Sequence, residues 1–319
     1  MASKKALIVG VAGQDGSYLA ESLLDKGYEV HGVVSAHAKH GIARIQHIAS
    51  RIKIYECDAT DGDGVAQIVA KVVPDELYHL AAIVNPLVNA ETEYSTLHDN
   101  LVAAHYVLAA VRAHSPKTKV FLAGSSLIFG KPLVSPQDER TEIRPDTPYG
   151  ISKAASFFLA DMYRSAYGIF VCTGILYNHE SPRRNQEFLP KKITRAAVEI
   201  KRGAMKELRL GNLDAVRDWG YAGDYVEAMW KMLQAEKPQD YVIGTGVPHT
   251  VRDILDIAFG EVGLDWKKYV VQDASLMRPR EKVPLIASPA KIKQGLQWEP
   301  TTGFKELIIS MVRSDLGNT

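Results

Sequence analysis

Three glycines, each separated by two residues, constrain the fold of this 319-residue chain more than any other feature of its sequence. Gly10 ends a short apolar run, Ala6–Gly10, and Gly13 and Gly16 come directly after it. A stretch with apolar residues at helical spacing follows, Ser17–Lys26. A strand, a tight glycine turn and a helix in this order bring the backbone close to a phosphate. A plain glycine-rich turn is the simpler alternative, but the context favours a dinucleotide-binding loop.

Short β-branched runs and helical stretches alternate through the first half of the chain. The later predicted strands are Tyr28–Val34, Ile52–Tyr55, Leu77–Leu80, Lys119–Ala123 and Phe170–Leu176, and one intervening predicted helix is Val65–Val73. This alternation predicts a doubly wound, Rossmann-type α/β fold, a parallel sheet with helices on both faces. Such a sheet binds its ligand at the carboxyl ends of the strands.

The pattern changes after Tyr177. The segment Asn178–Asn185 is polar and basic without a period, and helical stretches follow at Lys191–Lys201 and Asp224–Leu233. We therefore predict a smaller substrate-binding α/β part packed on the sheet, with a cleft between the two. The predicted bounds are 1–177 plus about 212–245 for the Rossmann domain, and 178–211 plus 246–319 for the substrate-binding part.

Composition excludes several classes of protein. Lys plus Arg is 38 and Asp plus Glu is 37, so the formal net charge is +1, and a nucleic-acid partner is not expected. No apolar run approaches the roughly 20 residues that span a bilayer, and the N-terminal apolar stretch is too short for a secretory signal. The two cysteines, Cys57 and Cys172, have neither disulfide-framework nor metal-ligand spacing. We expect a cytoplasmic protein without a metal or a membrane partner.

Residues at the predicted strand ends suit a nicotinamide dinucleotide. Asp58 follows the third strand, where a carboxylate can accept a hydrogen bond from an adenine amino group. Ala81 and Ala82 follow the fourth strand, where small side chains leave room for a cofactor, although turn or core residues are the plain alternative. The candidate cofactor-binding residues are Gly10, Gly13, Gln14, Asp15, Gly16, Ser35, Asp58, Ala59, Leu80, Ala81 and Ala82.

The end of the second predicted strand bears on the choice between NAD and NADP. NAD sites usually carry an acidic residue there and NADP sites an arginine, whereas this chain has Ser35 and Ala36. The missing carboxylate removes a repulsion against a 2′-phosphate. Four basic residues just beyond could supply charge, or could simply form a solvated loop: His37, Lys39, His40 and Arg44. We predict NADP, with NAD as the alternative.

Tyr149 and Lys153 form a Y-x-x-x-K pair, and Tyr149 is the only one of the 14 tyrosines with a lysine four residues later. Residues i and i+4 of a helix share a face, so the ammonium can lie beside the phenol and lower its pKa. The phenolate would then act as a general base toward a hydroxyl. Ser125 follows the fifth strand, where its hydroxyl either bonds the same substrate oxygen or merely closes a turn. We predict Ser125, Tyr149 and Lys153 as catalytic residues, the last two also contacting the cofactor.

The chain resembles the extended short-chain dehydrogenases/reductases, and among them the GDP-mannose 4,6-dehydratases. The resemblance covers nearly the whole length and is carried by GVAGQDGSYLAESLLDKGYEVHG, PDELYHLAA, TPYGISK, GILYNHESPRR, KKITRA, LGNLDAVRDWGYAGDYVEAMWKML, YVIGTG and RPRE. The blocks NHESPRR and RDWGY are far more specific than the glycine loop. The resemblance implies a GDP-sugar substrate. It also implies a homodimer or homotetramer that pairs through two helices, one of them bearing Tyr149.

The resemblance further implies a set of substrate-binding residues: Ser126, Asn178, Lys192, Gly211, Arg217, Arg278 and Glu281. Asn178 and Lys192 would contact the sugar and the diphosphate. Arg217 and Arg278 would hold the pyrophosphate, since guanidinium groups bind phosphate with two parallel hydrogen bonds. Glu281 would accept from the nucleotide ribose.

The reaction that the resemblance implies has three stages. The C4 hydroxyl is oxidised, C5 then loses a proton while the C6 hydroxyl leaves as water, and hydride returns to C6. The second stage uses a carboxylate, and Leu127 in GSSLIFG stands where the family's S-T-S-E-L-Y-G has its glutamate. General acid/base groups contribute about 10²- to 10⁴-fold, so dehydration should be slow unless Tyr177, Ser126 or His179 replaces the carboxylate.

We therefore predict an oxidoreductase or epimerase that acts at C4 of GDP-mannose or of a related GDP-hexose or GDP-heptose. Three alternatives remain at this point. They are a true dehydratase with a substitute acid/base, a nucleotide-binding protein without activity, and a dinucleotide-dependent enzyme with a non-sugar substrate.

Overall fold

The computed structural model describes residues 3–36, 41–83, 90–277 and 283–317. Its strands are β1 (Lys5–Val9), β2 (Glu29–Val34), β3 (Lys53–Glu56), β4 (Glu76–His79), β5 (Lys119–Ala123), β6 (Val171–Leu176), β7 (Asn178–Glu180), β8 (Leu208–Leu210), β9 (Val216–Tyr221), β10 (Tyr241–Ile243), β11 (Pro248–Thr250) and β12 (Val270–Gln272). Its α-helices are α1 (Gln14–Asp25), α2 (Gly62–Val72), α3 (Ala90–His114), α4 (Pro148–Tyr167), α5 (Leu189–Lys201), α6 (Ala222–Gln234), α7 (Val251–Glu261), α8 (Ala290–Leu296) and α9 (Phe304–Leu316). Within these residues, no helix combines the length and apolarity needed to cross a bilayer.

Seven of the described strands form one parallel sheet in the order β10-β6-β5-β4-β1-β2-β3. The strand order reverses between β1 and β4, and this reversal leaves a crevice at their carboxyl ends. The predicted Rossmann-type fold is therefore confirmed. The six strands predicted from the sequence all lie in this sheet, each within one residue of its predicted bounds, whereas β10 was not predicted.

Alternating side chains of the sheet enter two different cores. Ala6 and Ile8 of β1 pack with apolar side chains of α1 and α6. Leu7 and Val9 of the same strand pack on the opposite face with α2 and α3, and Tyr163 of α4 joins them there. Helices therefore cover both faces, and the strands are apolar along their whole length because each side chain is buried on one face or the other.

A third core lies outside the large sheet. It is formed by apolar side chains of α5, α7 and α9 and is completed by Trp219 of β9. Two small sheets border it, with strand orders β11-β9-β7 and β12-β8. Helices α5, α7 and α9 and these two small sheets thus form a separate layer, whereas α6 and β10, which also follow Tyr177, belong to the large sheet and its core.

Two aspartate carboxylates accept hydrogen bonds from segments that come later in the chain. Buried Asp218 accepts from Thr245 N–H at 3.0 Å, from the Thr245 hydroxyl at 2.6 Å, from Gly246 N–H at 2.8 Å and from Ala287 N–H at 3.1 Å. Asp224 accepts from the Thr301 hydroxyl at 2.6 Å and from the backbone of the two threonines at 301–302. The aspartate of the RDWGY block therefore has a structural role.

Candidate active site

The glycine loop joins β1 to α1, and its three glycines meet different requirements. Gly10 has a φ of +94°, and a Cβ there would lie 2.8 Å from the Ala81 nitrogen. A Cβ on Gly16 would lie 2.3 Å from the Gly10 oxygen. A Cβ on Gly13 would have the Gly10 oxygen as its nearest neighbour, at 3.2 Å. Packing of the protein itself requires the first and the third glycine, and Gly13 leaves an open side for a ligand.

The start of α1 offers hydrogen-bond donors at this open side. Gly13 is the N-cap and provides no side-chain cap. The N–H groups of Gln14, Asp15 and Gly16 have no hydrogen-bond partner among the described residues. Free N–H groups and the positive end of the helix dipole suit an anion. The loop therefore fits the pyrophosphate of a dinucleotide.

The ends of neighbouring strands bring the other predicted cofactor residues together. The N–H groups of Leu80 and Ala81 both donate to the Val9 carbonyl oxygen, at 2.9 and 3.0 Å. The Ser35 hydroxyl donates to the Asp58 carboxylate at 3.0 Å. One edge of the sheet thus holds Ser35, Asp58, Ala59, Leu80, Ala81 and Ala82.

Arg44, predicted as a source of charge for a 2′-phosphate, is bound to protein groups instead. Its Nη1 donates to the Ala12 carbonyl oxygen at 3.2 Å and its Nε to the Arg183 carbonyl oxygen at 2.9 Å, while Nη2 bonds the Asn185 side chain. Arg44 therefore ties the glycine loop to the NHESPRR segment. The other three basic candidates, His37, Lys39 and His40, lie outside the described residues.

The first turns of α4 position the tyrosine and the lysine. The helix begins at Pro148, and the hydroxyl of the preceding Thr147 caps it by accepting from Gly150 N–H at 3.0 Å. Tyr149 lies in the first turn and Lys153 one turn later. The predicted Y-x-x-x-K pair therefore lies on one helix, with the lysine Nζ 5.7 Å from the centre of the tyrosine ring.

The three predicted catalytic residues meet at the carboxyl end of β5. The Lys153 ammonium donates to the Ala123 carbonyl oxygen at 2.8 Å. Burial raises the pKa of Tyr149 to about 12, and the charge of Asp15 adds to this rise. The charge of Arg184 and a hydrogen bond with Ser125 act in the opposite direction and lower the pKa. Burial also lowers the pKa of Lys153 to about 8. Desolvation thus opposes the charged form of both groups, and nearby charges decide how basic the phenol is.

His79, at the end of β4, lies buried beside Lys153. Burial, and then the charge of Lys153, lower the pKa of His79 to about 3. Its Nδ1 has no hydrogen-bond partner among the described residues. A neutral imidazole therefore lies next to Lys153, and no pattern in the sequence marked it.

Four charged side chains form a cluster between the glycine loop and β7: Asp15, His179, Glu180 and Arg184. His179 Nε2 lies 2.9 Å from the Asp15 carboxylate, and Nδ1 lies 2.7 Å from the Tyr177 carbonyl oxygen. A carbonyl oxygen only accepts, so Nδ1 carries a proton. Burial lowers the pKa of His179, but Asp15 outweighs it and the pKa is raised overall. The pKa of Asp15 is lowered, chiefly because His179 outweighs its burial. The two form an imidazolium–carboxylate pair.

Arg184 and Glu180 form the second pair of this four-charge cluster. Arg184 Nε lies 3.0 Å from Glu180 Oε2, and the centre of the guanidinium lies 3.6 Å from the centre of the Phe188 ring. Glu180 is buried, and its burial raises the pKa of the carboxyl above its usual value even though Arg184 acts in the opposite direction. The guanidinium thus lies between an aromatic ring and a carboxylate, although neither Arg184 Nε nor Glu180 Oε2 makes a hydrogen bond to a described residue.

The predicted substrate-binding residues divide into two groups. Asn178 on β7 pairs with Trp219 on β9. Arg217 lies on the same strand β9, two residues before Trp219, and its Nη1 donates to the Val216 carbonyl oxygen at 2.7 Å. Ser126 is buried next to Ser125.

Lys192 and Gly211 lie near β8. The Lys192 ammonium donates to the Arg209 carbonyl oxygen at 3.1 Å, and a Cβ on Gly211 would lie 2.3 Å from the Leu276 oxygen. Close packing therefore explains the glycine. Arg278 and Glu281 lie outside the described residues, and the substrate-binding roles of the whole set stay predictions.

The family model described as GDP-mannose 4,6 dehydratase matches residues 7–311. The chain belongs to the GDP-mannose 4,6-dehydratase family. GDP-mannose 4,6 dehydratase 2 of Arabidopsis thaliana is 46% identical over 325 residues, which cover 98% of this chain and 87% of that protein.

Solved structures share the fold at lower identity. A dTDP-glucose 4,6-dehydratase from Streptomyces venezuelae, solved with NAD bound, has a TM-score of 0.86 and 22% identity over 98% of this chain and 97% of its own. RMD from Pseudomonas aeruginosa, complexed with NADPH, has a TM-score of 0.83 and 19% identity over 99% of this chain and 100% of its own.

In this member of the GDP-mannose 4,6-dehydratase family, Leu127 packs, partly buried, against an apolar cluster that includes Ile128 and Tyr177. Two candidate substitutes for a carboxylate are already engaged. The buried Tyr177 hydroxyl donates to Gln137 at 2.9 Å, and burial raises its pKa strongly. Both nitrogens of His179 have partners, as described above. Neither side chain is placed as a free acid/base.

In this family member, no sequence pattern predicted the charged cluster between the glycine loop and β7. The NHESPRR block marked the position of Glu180 and Arg184, but nothing in its letters assigned them a role. Their significance lies in contacts with the glycine loop, since His179 and Asp15 are 164 residues apart in the chain. Among the described residues, no group of three or more His, Cys, Asp or Glu side chains is arranged to hold a metal ion.

Proposed function

We propose that the protein is a nicotinamide-dependent enzyme that oxidises, reduces or epimerises C4 of a GDP-sugar, GDP-mannose or a related GDP-hexose or GDP-heptose. The observation that supports this most directly is the meeting of Ser125, Tyr149 and Lys153 at the end of β5, beside a glycine loop that fits a dinucleotide. The GDP-mannose 4,6-dehydratases of the same family support the GDP-sugar.

A bound nicotinamide ring would supply the acceptor or the donor of hydride at C4. Tyr149 holds the proton of the C4 oxygen: its phenolate takes that proton when the alcohol becomes a ketone, and its phenol returns it in the reverse direction. Ser125 donates a hydrogen bond to the same oxygen. Lys153, anchored on the Ala123 carbonyl oxygen, favours the phenolate by its charge. An epimerase would use both directions in turn, with the ketone exposing its other face.

The cofactor residues support a nicotinamide dinucleotide, and we propose NADP ahead of NAD. Support comes from Ser35 and Ala36, which place no carboxylate of their own at the end of β2. The Asp58 carboxylate, which accepts from the Ser35 hydroxyl at 3.0 Å, places a negative charge at this strand end and acts against a 2′-phosphate. The dissociation constants of both cofactors, measured by fluorescence titration of the same preparation, decide the point. Tighter binding of NAD would reverse the assignment.

We propose that elimination of water from the sugar is slow in this protein. Leu127 is not ionisable, and it packs against apolar side chains. Loss of one general acid/base reduces a rate by about 10²- to 10⁴-fold. Oxidation at C4 does not use that group, so the first stage of the family reaction proceeds without it.

The test follows both the nicotinamide absorbance and the product mass after incubation with GDP-mannose and cofactor. We expect C4 oxidation or epimerisation without loss of water. A product lighter by one water, formed as fast as by a family dehydratase, would contradict the proposal. Leu127→Glu should gain dehydration and the matched control Leu127→Gln should not. Sugar-nucleotide binding without any redox change, across several GDP-sugars, would indicate a binding protein instead.

A further inference from the structure

The segment that leaves β4, residues 80–83, contains three of the predicted cofactor residues and is attached to the protein from two sides. On one side, two of its N–H groups donate to the Val9 carbonyl oxygen at the end of β1, at 2.9 and 3.0 Å. On the other side, the Asn100 side chain of α3 bonds the backbone of Ile83. The position of this segment therefore depends on Asn100 as well as on β1.

The Asn100 amide binds both polar groups of one backbone residue. Its Oδ1 accepts from the Ile83 N–H at 2.8 Å, and its Nδ2 donates to the Ile83 carbonyl oxygen at 3.1 Å. Because an N–H only donates and a carbonyl oxygen only accepts, the backbone decides which end of the amide is oxygen and which is nitrogen. Asn100 is buried, with 5% of its surface exposed. The amide thus holds Ile83 by two bonds, as a neighbouring strand would in an antiparallel pair.

The same amide is joined to the helix that carries Tyr149. Asn100 Nδ2 lies 3.4 Å from the hydroxyl oxygen of buried Ser152, and this hydroxyl donates to the Tyr149 carbonyl oxygen at 2.8 Å. A series of hydrogen bonds therefore runs from Ile83 through Asn100 and Ser152 to the backbone of Tyr149. It joins the segment predicted to line the cofactor to the first turn of α4.

We propose that Asn100 is a positioning residue, which sets the place of the bound nicotinamide relative to Tyr149. This inference rests on the proposed function and extends it to a side chain of α3. Hydride transfer needs its two carbon atoms in near contact, and a misplacement of about 1 Å can cost about 10²-fold in rate. The N–H groups that fit the pyrophosphate belong to the start of α1 and not to the segment that Asn100 holds. Loss of Asn100 should therefore slow hydride transfer more than it weakens cofactor binding.

The first experiment measures the hold on Ile83 and needs no sugar. Deuterium exchange of the Ile83 N–H is followed by NMR in the NADP-loaded protein. In Asn100→Leu this N–H loses its acceptor, and its exchange should become about three- to tenfold faster. Asn100→Asp keeps an oxygen for the N–H but sets a second oxygen against the Ile83 carbonyl oxygen, so its exchange rate should lie between the two. Unchanged exchange in Asn100→Leu would overturn the inference.

The second experiment measures hydride transfer in a single turnover at saturating GDP-mannose and NADP. A slower rate with the sugar deuterated at C4 identifies the observed step as the transfer of hydride. We expect Asn100→Leu to slow this step by about 10- to 100-fold, while KM for the sugar and the dissociation constant of the cofactor stay within about threefold. Ser152→Ala keeps both bonds to Ile83 and should therefore lose less of the rate than Asn100→Leu does.

Thr118→Val is the matched control for the loss of a buried hydrogen-bonding group. The Thr118 hydroxyl donates to the Pro74 carbonyl oxygen and lies 2.6 Å from the Ser115 hydroxyl, at the opposite, amino end of β4 and β5. Its loss should lower the free energy of unfolding in urea, as Asn100→Leu does, and leave hydride transfer within about threefold. An equal loss of rate in Thr118→Val, or a native rate in Asn100→Leu, would overturn the inference.

Two further outcomes are covered by the same set of variants. If Asn100→Leu does not fold, slower hydride transfer in Asn100→Asp, with cofactor binding kept, supports the inference, and a native rate there overturns it. If the native protein transfers no hydride with any GDP-sugar, the proposed function fails. The fluorescence anisotropy of bound NADPH then decides the role of Asn100, since it should fall in Asn100→Leu and stay unchanged in Thr118→Val. Equal anisotropy in the native protein and Asn100→Leu would contradict the positioning role.

Discussion

The Asp15 carboxylate and the His179 imidazole form an ion pair, 2.9 Å apart, that joins the start of α1 to β7. The other ring nitrogen of His179 donates to the Tyr177 carbonyl oxygen, so the imidazole is held in its doubly protonated form. The pair thus connects the loop that fits a cofactor with the segment that carries Arg184. The charge state of the pair therefore depends on pH.

We expect the stability that His179 contributes to depend on pH. Its pKa is raised above the ordinary 6.5, so the contribution is fully present below that pH and is lost as the pH rises through the raised pKa. The pKa of Asp15 is lowered, so the carboxylate stays charged and the pair stays intact until the pH falls below the ordinary value of 3.8. His179→Gln should therefore cost about 3 kcal/mol of unfolding free energy near pH 6, and less near pH 9. Urea unfolding at the two pH values measures both costs.

The matched control for that experiment is His47→Gln. His47 Nε2 pairs with Glu21 at 2.6 Å on the surface, with about half of the imidazole exposed. Solvent screens such a pair, so the variant should change stability by less than about 1 kcal/mol at either pH. An equal loss for His179→Gln at low and high pH would show that the pair owes its effect to packing alone.

Replacing Gly13 by alanine should weaken cofactor binding, whereas replacing Gly16 by alanine should lower the stability of the fold. Gly13 has a φ of −71°, which alanine adopts freely, and its Cβ would face the open side of the loop. Gly13→Ala should therefore weaken cofactor binding by about tenfold or more, at a stability cost below about 1 kcal/mol. Gly16→Ala should lower stability by about 2 to 3 kcal/mol, because its Cβ would lie 2.3 Å from the Gly10 oxygen. Isothermal titration and thermal unfolding separate the two effects, and equal unfolding costs would contradict this assignment.

Tyr149→Phe should reduce hydride transfer by about 10²- to 10⁴-fold while the cofactor still binds. The phenyl ring keeps the packing of α4 but cannot hold a proton. Tyr163→Phe is the control on the same helix, since its hydroxyl lies 3.4 Å from His105 on the α3 side. Single-turnover absorbance of the nicotinamide gives the rate. Retention of more than about one-tenth of the native rate in Tyr149→Phe would assign the proton transfer elsewhere.

We expect two copies of the chain to pair through a surface that includes α4. Ile151, Phe158 and Met162 lie seven and four residues apart on α4, and 47%, 57% and 38% of each is exposed. An apolar stripe of this length on a helix is typical of a helix–helix interface. Phe158→Glu should yield a monomer in light scattering, whereas Leu133→Glu, at an exposed loop position, should not. A monomeric native protein would refute the pairing.

The sheet could be predicted closely because strands buried on both faces read as continuous β-branched runs. The strand β10, Tyr241–Ile243, escaped because three residues carry no period. The 25-residue helix α3 was also missed, because apolar side chains on more than one of its sides weaken the helical period. Local spacing therefore predicted the first half of the chain better than the second.

The candidate site divides in the same way. The glycine loop and the pair Tyr149/Lys153 are local patterns, and spacing alone located them. The interaction of Arg44 with Ala12 and the pairing of His179 with Asp15 are contacts between distant parts of the chain. Charge alone predicted a phosphate ligand for Arg44, whereas backbone carbonyl oxygens on two loops occupy its donors.

Buried Asp218 also bears on the order in which the chain assembles during synthesis. It gathers donors from Thr245 and Gly246, which directly follow edge strand β10, and from Ala287, 69 residues further along the chain than the aspartate. The carboxylate therefore cannot complete its set of bonds until nearly the whole chain has left the ribosome. The central strands can pair long before that point, so the bond from Ala287 is the late part of this assembly.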